Sequence, residues 1–146
     1  MSVGRSAPRN TAGTPGYSGK PLAIKLGLAP GMRVRLRDEP AEYWTWCAFD
    51  PSLVRLASAR EAFDFGHVFA TSRAALAREL KAAVAKLDPH GMLWISWPKK
   101  SSGVTTDLGE DTLRELALPL GVVDVKVCAV SEVWSGLKFV WRRERR

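Results

Sequence analysis

The chain has 146 residues, 46% of them hydrophobic and 25% charged, and a formal net charge of +7. That suffices for one globular domain whose core needs no disulfide or metal to hold it. No apolar run reaches the roughly 18 residues of a membrane span, and the start has no apolar segment of the secretory type, so a cytoplasmic protein with no membrane contact is expected.

Residues 1–20 are rich in Gly, Ser, Pro, Thr and Arg, with Tyr17 the only aromatic, and read as a mobile basic arm ahead of a domain spanning 21–146. "PLAIKL" follows, with Pro21 suited to a first helical turn and Gly27 to a stop, and predicts a short helix. "MRVRL" has strand period, placing Met32, Val34 and Leu36 on one face. "AEYWTWCAF" puts Tyr43, Trp46 and Cys47 at helical spacing, with an end near Asp50-Pro51. "LVRLA" is a short strand candidate, and "FDFGHVFAT" is apolar at nearly every position, as a strand buried on both faces is.

The plainest helix is "RAALARELKAAVAKL", with Leu76, Leu80, Val84 and Leu87 on one stripe and Thr71 or Ser72 to cap it. "GMLWISW" predicts another doubly buried strand, with Trp94 and Trp97 as core residues. In "TLRELALPL", Leu113, Leu116, Ala117 and Leu120 share a face, Asp107 and Glu110 have capping-box spacing, and Pro119 with Gly121 ends the helix. "VVDVKVCAV" and "LKFVW" close the chain as a hairpin around "SEVWSG". Strands alternating with helices predict an α/β fold: an open, mostly parallel sheet, helices on both faces, and an antiparallel hairpin at the end.

The basic excess sits at the ends. Every charged side chain up to Arg37 is basic, the tail "RRERR" adds four arginines, and the stretch from Asp38 to Trp141 is net acidic. A nucleic-acid module more often carries its basic residues on the folded face, so contact through the termini is the weaker reading and solvated tails the stronger. Cys47 and Cys128 have no metal-type spacing and read as reduced structural thiols. His67, inside an apolar strand, reads as a hydrogen-bonded core residue, and His90 as a turn residue. The chain has no H-x-x-x-H pair, no G-x-S-x-G elbow and no phosphate loop, so no metal site is expected and no catalytic residue is assigned.

A buried strand "FDFGHVF", a helix, "LDPHGMLWISWPK", a second helix and a closing hairpin resemble the second half of a class I methyltransferase, with its Rossmann-like sheet. The resemblance covers roughly Gly31 to Arg143. In that family an L-x-P-G-G-x-L run leads into the fifth strand, and "LDPHGML" matches it except at His90. The whole chain is also similar to a small bacterial family that shares "GYSGKPL", "WPKKSSGV" and "WSGLKFV" and has no assigned activity.

The resemblance implies S-adenosylmethionine, held by a glycine-rich turn after the first strand and an acidic residue after the second. Here the first turn reads "RDEPAEYW", without glycine and with Pro40 removing a donor, and after "LVRLA" the first carboxylate is Glu61. No cofactor is therefore expected, and the reading is a non-catalytic, degenerate methyltransferase-like module. An enzyme with an atypical site on the same edge is the alternative.

Ligands of open α/β sheets lie beyond the carboxyl ends of the strands, where the strand order reverses. That edge would gather "RDEP", "TSR", "WPKKSSGVTTD" and the hairpin turn. The candidate ligand residues are Arg37, Ser72, Arg73, Trp97, Lys99, Lys100, Ser101, Ser102, Thr105, Asp107, Trp134 and Ser135. Their cations and hydroxyls predict a small anionic ligand or an acidic protein partner.

Overall fold

The structure is a computed structural model and describes residues 20–146. The arm expected over residues 1–20 thus lies outside the described residues except for Lys20, which is exposed. Six strands form one sheet: β1 (Arg33–Arg37), β2 (Arg55–Leu56), β3 (Phe63–Phe69), β4 (Leu87–Pro98), β5 (Val122–Ala129) and β6 (Trp134–Trp141). Their order is β2-β1-β3-β4-β6-β5. The first four run parallel, and β6 runs antiparallel to both β4 and β5. The chain leaves β1 for β2 on one side and then crosses to β3 on the other, which puts the reversal of strand order between β1 and β3.

Helices α1 (Leu22–Leu26) and α2 (Tyr43–Cys47) cover one face, α3 (Arg73–Val84) and α4 (Glu110–Ala117) the other. Because a strand alternates its side chains, β4 serves both cores: Trp94 enters the cluster under α1 and α2, and Leu93, Ile95 and Trp97 enter the one under α3 and α4. The expectation that Trp94 and Trp97 are core residues holds, with 0% and 7% exposure.

Several boundaries differ from the sequence reading. Helix α3 ends at Val84, so Leu87, expected on the helical stripe, opens β4 opposite Phe63. The strand runs through Pro89 and His90, where a turn is expected, by way of a register shift between Phe63 and Phe65 on its neighbour. Gly91 makes that passage possible, since a Cβ there would stand 3.0 Å from the Asp64 carbonyl oxygen. Helix α2 has one good turn only and stops at Ala48, in left-handed conformation, before Asp50 and Pro51. Strand β6 already begins at Trp134, so Trp134 and Ser135 lie in the strand, and only Ser131–Val133 remains as the turn.

Candidate functional site

The carboxyl edge is built by three loops and the hairpin. After β1 the chain turns sharply at Asp38, with φ 57°, and continues through Pro40 to α2. Aspartate is among the few non-glycine residues that accept this left-handed conformation, so the chain reverses here without a glycine. After β3, Ser72 caps α3 by accepting the Ala75 N–H at 3.2 Å. After β4, Lys99 donates its N–H to the Val133 carbonyl at 2.7 Å, which ties this loop to the hairpin turn. Across β4 and β6, Pro98 pairs with Trp134 and Trp97 with Ser135.

Two cavities open on this edge. The smaller, about 230 Å³, lies at the reversal of strand order and is lined by Asp38, Phe69, Ala70, Thr71, Ala75, Glu79 and Trp134. Trp134 meets Phe69 edge-on at 5.0 Å, giving it an aromatic wall. Arg37 pairs with Glu79 at 3.0 Å. The larger, about 730 Å³, lies between the loop after β4 and the start of α4, with Trp97, Pro98, Lys100, Thr106, Asp107, Glu110, Asp111 and Arg114 among its lining residues. Only the larger falls inside the range of roughly 300–1,000 Å³ typical of sites for drug-sized ligands.

The expected site residues divide between these places. Trp97, Lys100 and Asp107 line the larger cavity and Trp134 the smaller. Arg37 is held by Glu79, Arg73 donates to Glu115 at 2.7 Å, and Ser72 is spent on its cap. Ser101 and Thr105 are exposed. Ser102 donates to the Lys99 carbonyl and accepts the Val104 N–H, which folds the loop on itself. Ser135 is half-buried in β6.

The two lysines do not form one wall. Lys100 faces the larger cavity, whereas Lys99 stands where Glu132 and Cys128 feel its charge, and desolvation lowers its pKa. Asp107 and Glu110 do not make the expected capping box. Gly109 occupies the cap position of α4 without a side-chain bond, and Asp107 instead accepts the backbone N–H of Arg73 at 2.7 Å. The larger cavity thus carries three carboxylates, Asp107, Glu110 and Asp111, against Lys100 and Arg114, and Arg114 is already bound to Glu110, Asp111 and Asp124.

Asp38 and Thr71 belong to loops that the sequence places on this edge. Glu79 escaped notice because it lies two turns into α3, where its only signal is that it follows Ala75 by four residues.

Behind the smaller cavity lies a buried polar chain. The ring of Phe69 stacks on His67 at 4.4 Å. His67 Nδ1 shares a hydrogen bond with the Tyr43 hydroxyl at 2.9 Å, and its Nε2 another with Ser96 Oγ at 2.7 Å. All three residues are fully buried. Burial pushes the His67 pKa down to about 3, so the ring is neutral, bonded at both nitrogens and unavailable as a base on the edge.

No family model matches the chain, and no curated protein does. Solved structures do match. Magnesium protoporphyrin IX methyltransferase (ChlM) from Synechocystis PCC 6803 with bound SAH aligns with TM-score 0.57 and 9% identity, over 83% of this chain and 79% of that one. The fold is methyltransferase-like. The same enzyme with bound SAM gives TM-score 0.56 and 10% identity, over 83% and 75% of the two chains. LepI in complex with SAH and a substrate analogue gives TM-score 0.51 and 14% identity, over 83% of this chain but only 39% of that one.

The expectation of no cofactor is overturned here. Structures sharing this methyltransferase-like fold over more than four-fifths of the chain hold SAM or SAH. The turn after β1 still lacks a glycine, and Asp38 rather than glycine takes the left-handed conformation there.

Against the cofactor itself, the residues fit in part. Asp38 and Glu79 supply carboxylates, which Arg37 already meets at 3.9 and 3.0 Å, and Phe69 and Trp134 an aromatic wall, at the reversal of strand order. The acidic residue expected after the second strand is not free: Glu61 accepts the Ser58 N–H at 2.7 Å and pairs with Arg55 at 2.8 Å.

Proposed function

We propose that the chain is a methyltransferase-like module that binds an S-adenosyl ligand at the carboxyl edge of its sheet, with the amino-acid end of the ligand in the cavity between β1 and β3 and the rest along the open edge. The observation that carries this reading is the placement of Asp38, Glu79, Phe69 and Trp134 around one cavity at the reversal of strand order. SAM brings an ammonium and a sulfonium cation, and SAH the ammonium alone. Two carboxylates and the faces of aromatic rings are the groups that attract such cations. Asp38 and Glu79 would hold the ammonium, and Trp134 would flank the sulfonium. When bound, SAM would supply an electrophilic methyl group, which SAH lacks.

Methyl transfer is the second reading. It is favoured by one observation, the larger cavity beside Trp97 on the same edge, which has room for an acceptor. Its acidic lining suits an acceptor carrying an amine better than an anion.

Titration calorimetry of the purified chain with SAM and with SAH tests binding. Asp38→Asn should weaken both about tenfold or more, because a hydrogen bond to a charged group contributes roughly 1.5–3 kcal/mol. Absence of heat with either ligand at millimolar concentration refutes the reading. A module that only binds leaves SAM intact in the presence of candidate amines, whereas a transferase releases SAH.

A further inference from the structure

The ion pairs among the described residues draw on one kind of cation. Every ion pair uses an arginine: Arg33, Arg37, Arg55, Arg73 and Arg114 between them hold nine contacts with carboxylates. No lysine is in any of them. Four of these lysines gather on the α1 side of the closing hairpin. Lys126 and Lys138 face each other directly across β5 and β6. Lys126 Nζ donates to the Lys25 carbonyl at the end of α1, at 2.9 Å. The charges of Lys25, Lys126 and Lys99 all reach Cys128 on the same strand, and desolvation together with Lys126 lowers the Lys138 pKa. Glu132 is the acidic group acting on Lys99.

Like charges directly opposite each other in a sheet are destabilising. A half-buried lysine with a lysine as its cross-strand partner is therefore a standing cost that an anion would relieve. Arginine's planar fork suits carboxylates, and here it takes them. That fork suits phosphate as well, but in these five arginines carboxylates occupy it, which leaves the lysines, point charges that also bind phosphate. From Lys138 to Val133, to which Lys99 is bonded, is five residues, or roughly 16 Å at about 3.3 Å per strand residue. That length matches successive phosphates along a strand and exceeds one small anion. We propose that this lysine face, Lys25, Lys99, Lys126 and Lys138, binds the phosphate backbone of a single nucleic-acid strand without reading its bases.

The test is fluorescence anisotropy of the full chain with a labelled oligonucleotide of about 20 nucleotides, as RNA and as DNA, over a salt series. Lys126→Glu with Lys138→Glu should lower affinity at least tenfold at low salt and flatten the log–log salt slope by about 1.4, at roughly 0.7 per lost single-strand phosphate contact. Lys81→Glu with Lys86→Glu, exposed on and just after α3, makes the same change of net charge and should lower affinity less than threefold. Both double variants keep the basic termini, so equal losses in the two overturn the proposal in favour of general charge. Unchanged binding in the first variant overturns it outright, as does tighter binding of the wild-type chain to polyglutamate or to phosphatidylserine vesicles than to the oligonucleotide. Should the glutamates disturb the fold, Lys126→Ala with Lys138→Ala relieves the repulsion. It should keep the thermal midpoint or raise it, and still lose affinity. S-adenosyl binding by that variant should match the wild type, which separates this face from the carboxyl edge.

Discussion

On the side of α1 and α2 the sheet is covered through hydrogen bonds made inside the core, whereas on the side of α3 and α4 the cover is apolar and the polar contacts stay on the rim. The first side holds the Tyr43–His67–Ser96 chain and the bond from Trp94 Nε1 to the Leu26 carbonyl at 2.8 Å. The second packs Leu76, Leu80, Leu113 and Ala117 on Leu93, Ile95 and Leu137, ringed by arginine–carboxylate pairs such as Arg37–Glu79 and Arg73–Glu115. The difference follows from helix length. A helix of five residues, α1 or α2, offers little apolar stripe and is held in place by directional bonds, whereas the twelve residues of α3 bury a stripe by themselves. Since α2 follows the Asp38 turn, the hydrogen-bonded side also positions the smaller cavity.

The largest effect expected from this contrast is at Trp94. Trp94→Ala should cost about 4 kcal/mol in urea unfolding, because it leaves a large void and an unpaired Leu26 carbonyl. Trp94→Phe keeps most of the volume and should still cost about 1–2 kcal/mol, the part belonging to the bond. On the other side Leu113→Ala should cost about 3 kcal/mol, and Leu113→Met less than about 1.5, since shape alone is at stake there. Equal costs for Trp94→Phe and Leu113→Met would erase the distinction.

Acid should act on the hydrogen-bonded side alone between pH 7 and 5. His67 stays neutral in the fold down to about pH 3 but takes up a proton near pH 6.5 when unfolded, so below 6.5 the unfolded state binds more protons and stability falls as pH falls. The loss should reach about 2 kcal/mol by pH 5. The paired carboxylates with lowered pKa values, Asp64 and Glu61, contribute only at lower pH. His67→Phe should be less stable than wild type at pH 7 yet show almost no slope over that interval, and a slope equal to the wild type's would remove His67 from the account.

Smaller still, Ser72→Ala should cost about 1 kcal/mol by removing the cap of α3. It should leave the Tyr43 side untouched, so its cost should not change between pH 7 and 5. Least of all, deletion of residues 1–14 should shift stability by less than about 0.5 kcal/mol, since that stretch carries no periodic apolar residues. A larger drop in the unfolding free energy would show that one of the two sides depends on it.

How much of this was legible in the chain depends on the range of the interactions. The near-continuous apolar runs "FDFGHVF" and "LWISW", the stripe of α3 and the Pro119–Gly121 stop are local signals, and they were enough for the element order and the fold class. The carboxyl edge was legible too, because a parallel sheet with helical crossovers places its loops there whatever their composition. Which side chains meet on that edge was not. Asp107 spends its oxygen on Arg73, 34 positions away, and Lys99 and Lys100, neighbours in sequence, point to different sides of the edge.

The sequence by itself determined the strand and helix periods, the doubly buried β3 and β4, and the core place of a histidine surrounded by apolar residues. Tertiary structure alone decided the rest. It made a left-handed turn at an aspartate where glycine is the usual choice, a conformation that aspartate tolerates better than most residues. It also set Lys126 against Lys138, which are twelve positions apart along the chain and become neighbours only when the hairpin closes with its bulge between Asp124 and Lys126. Periodicity reports which face a side chain takes; register and crossover decide what stands opposite it, and both are properties of the assembled sheet.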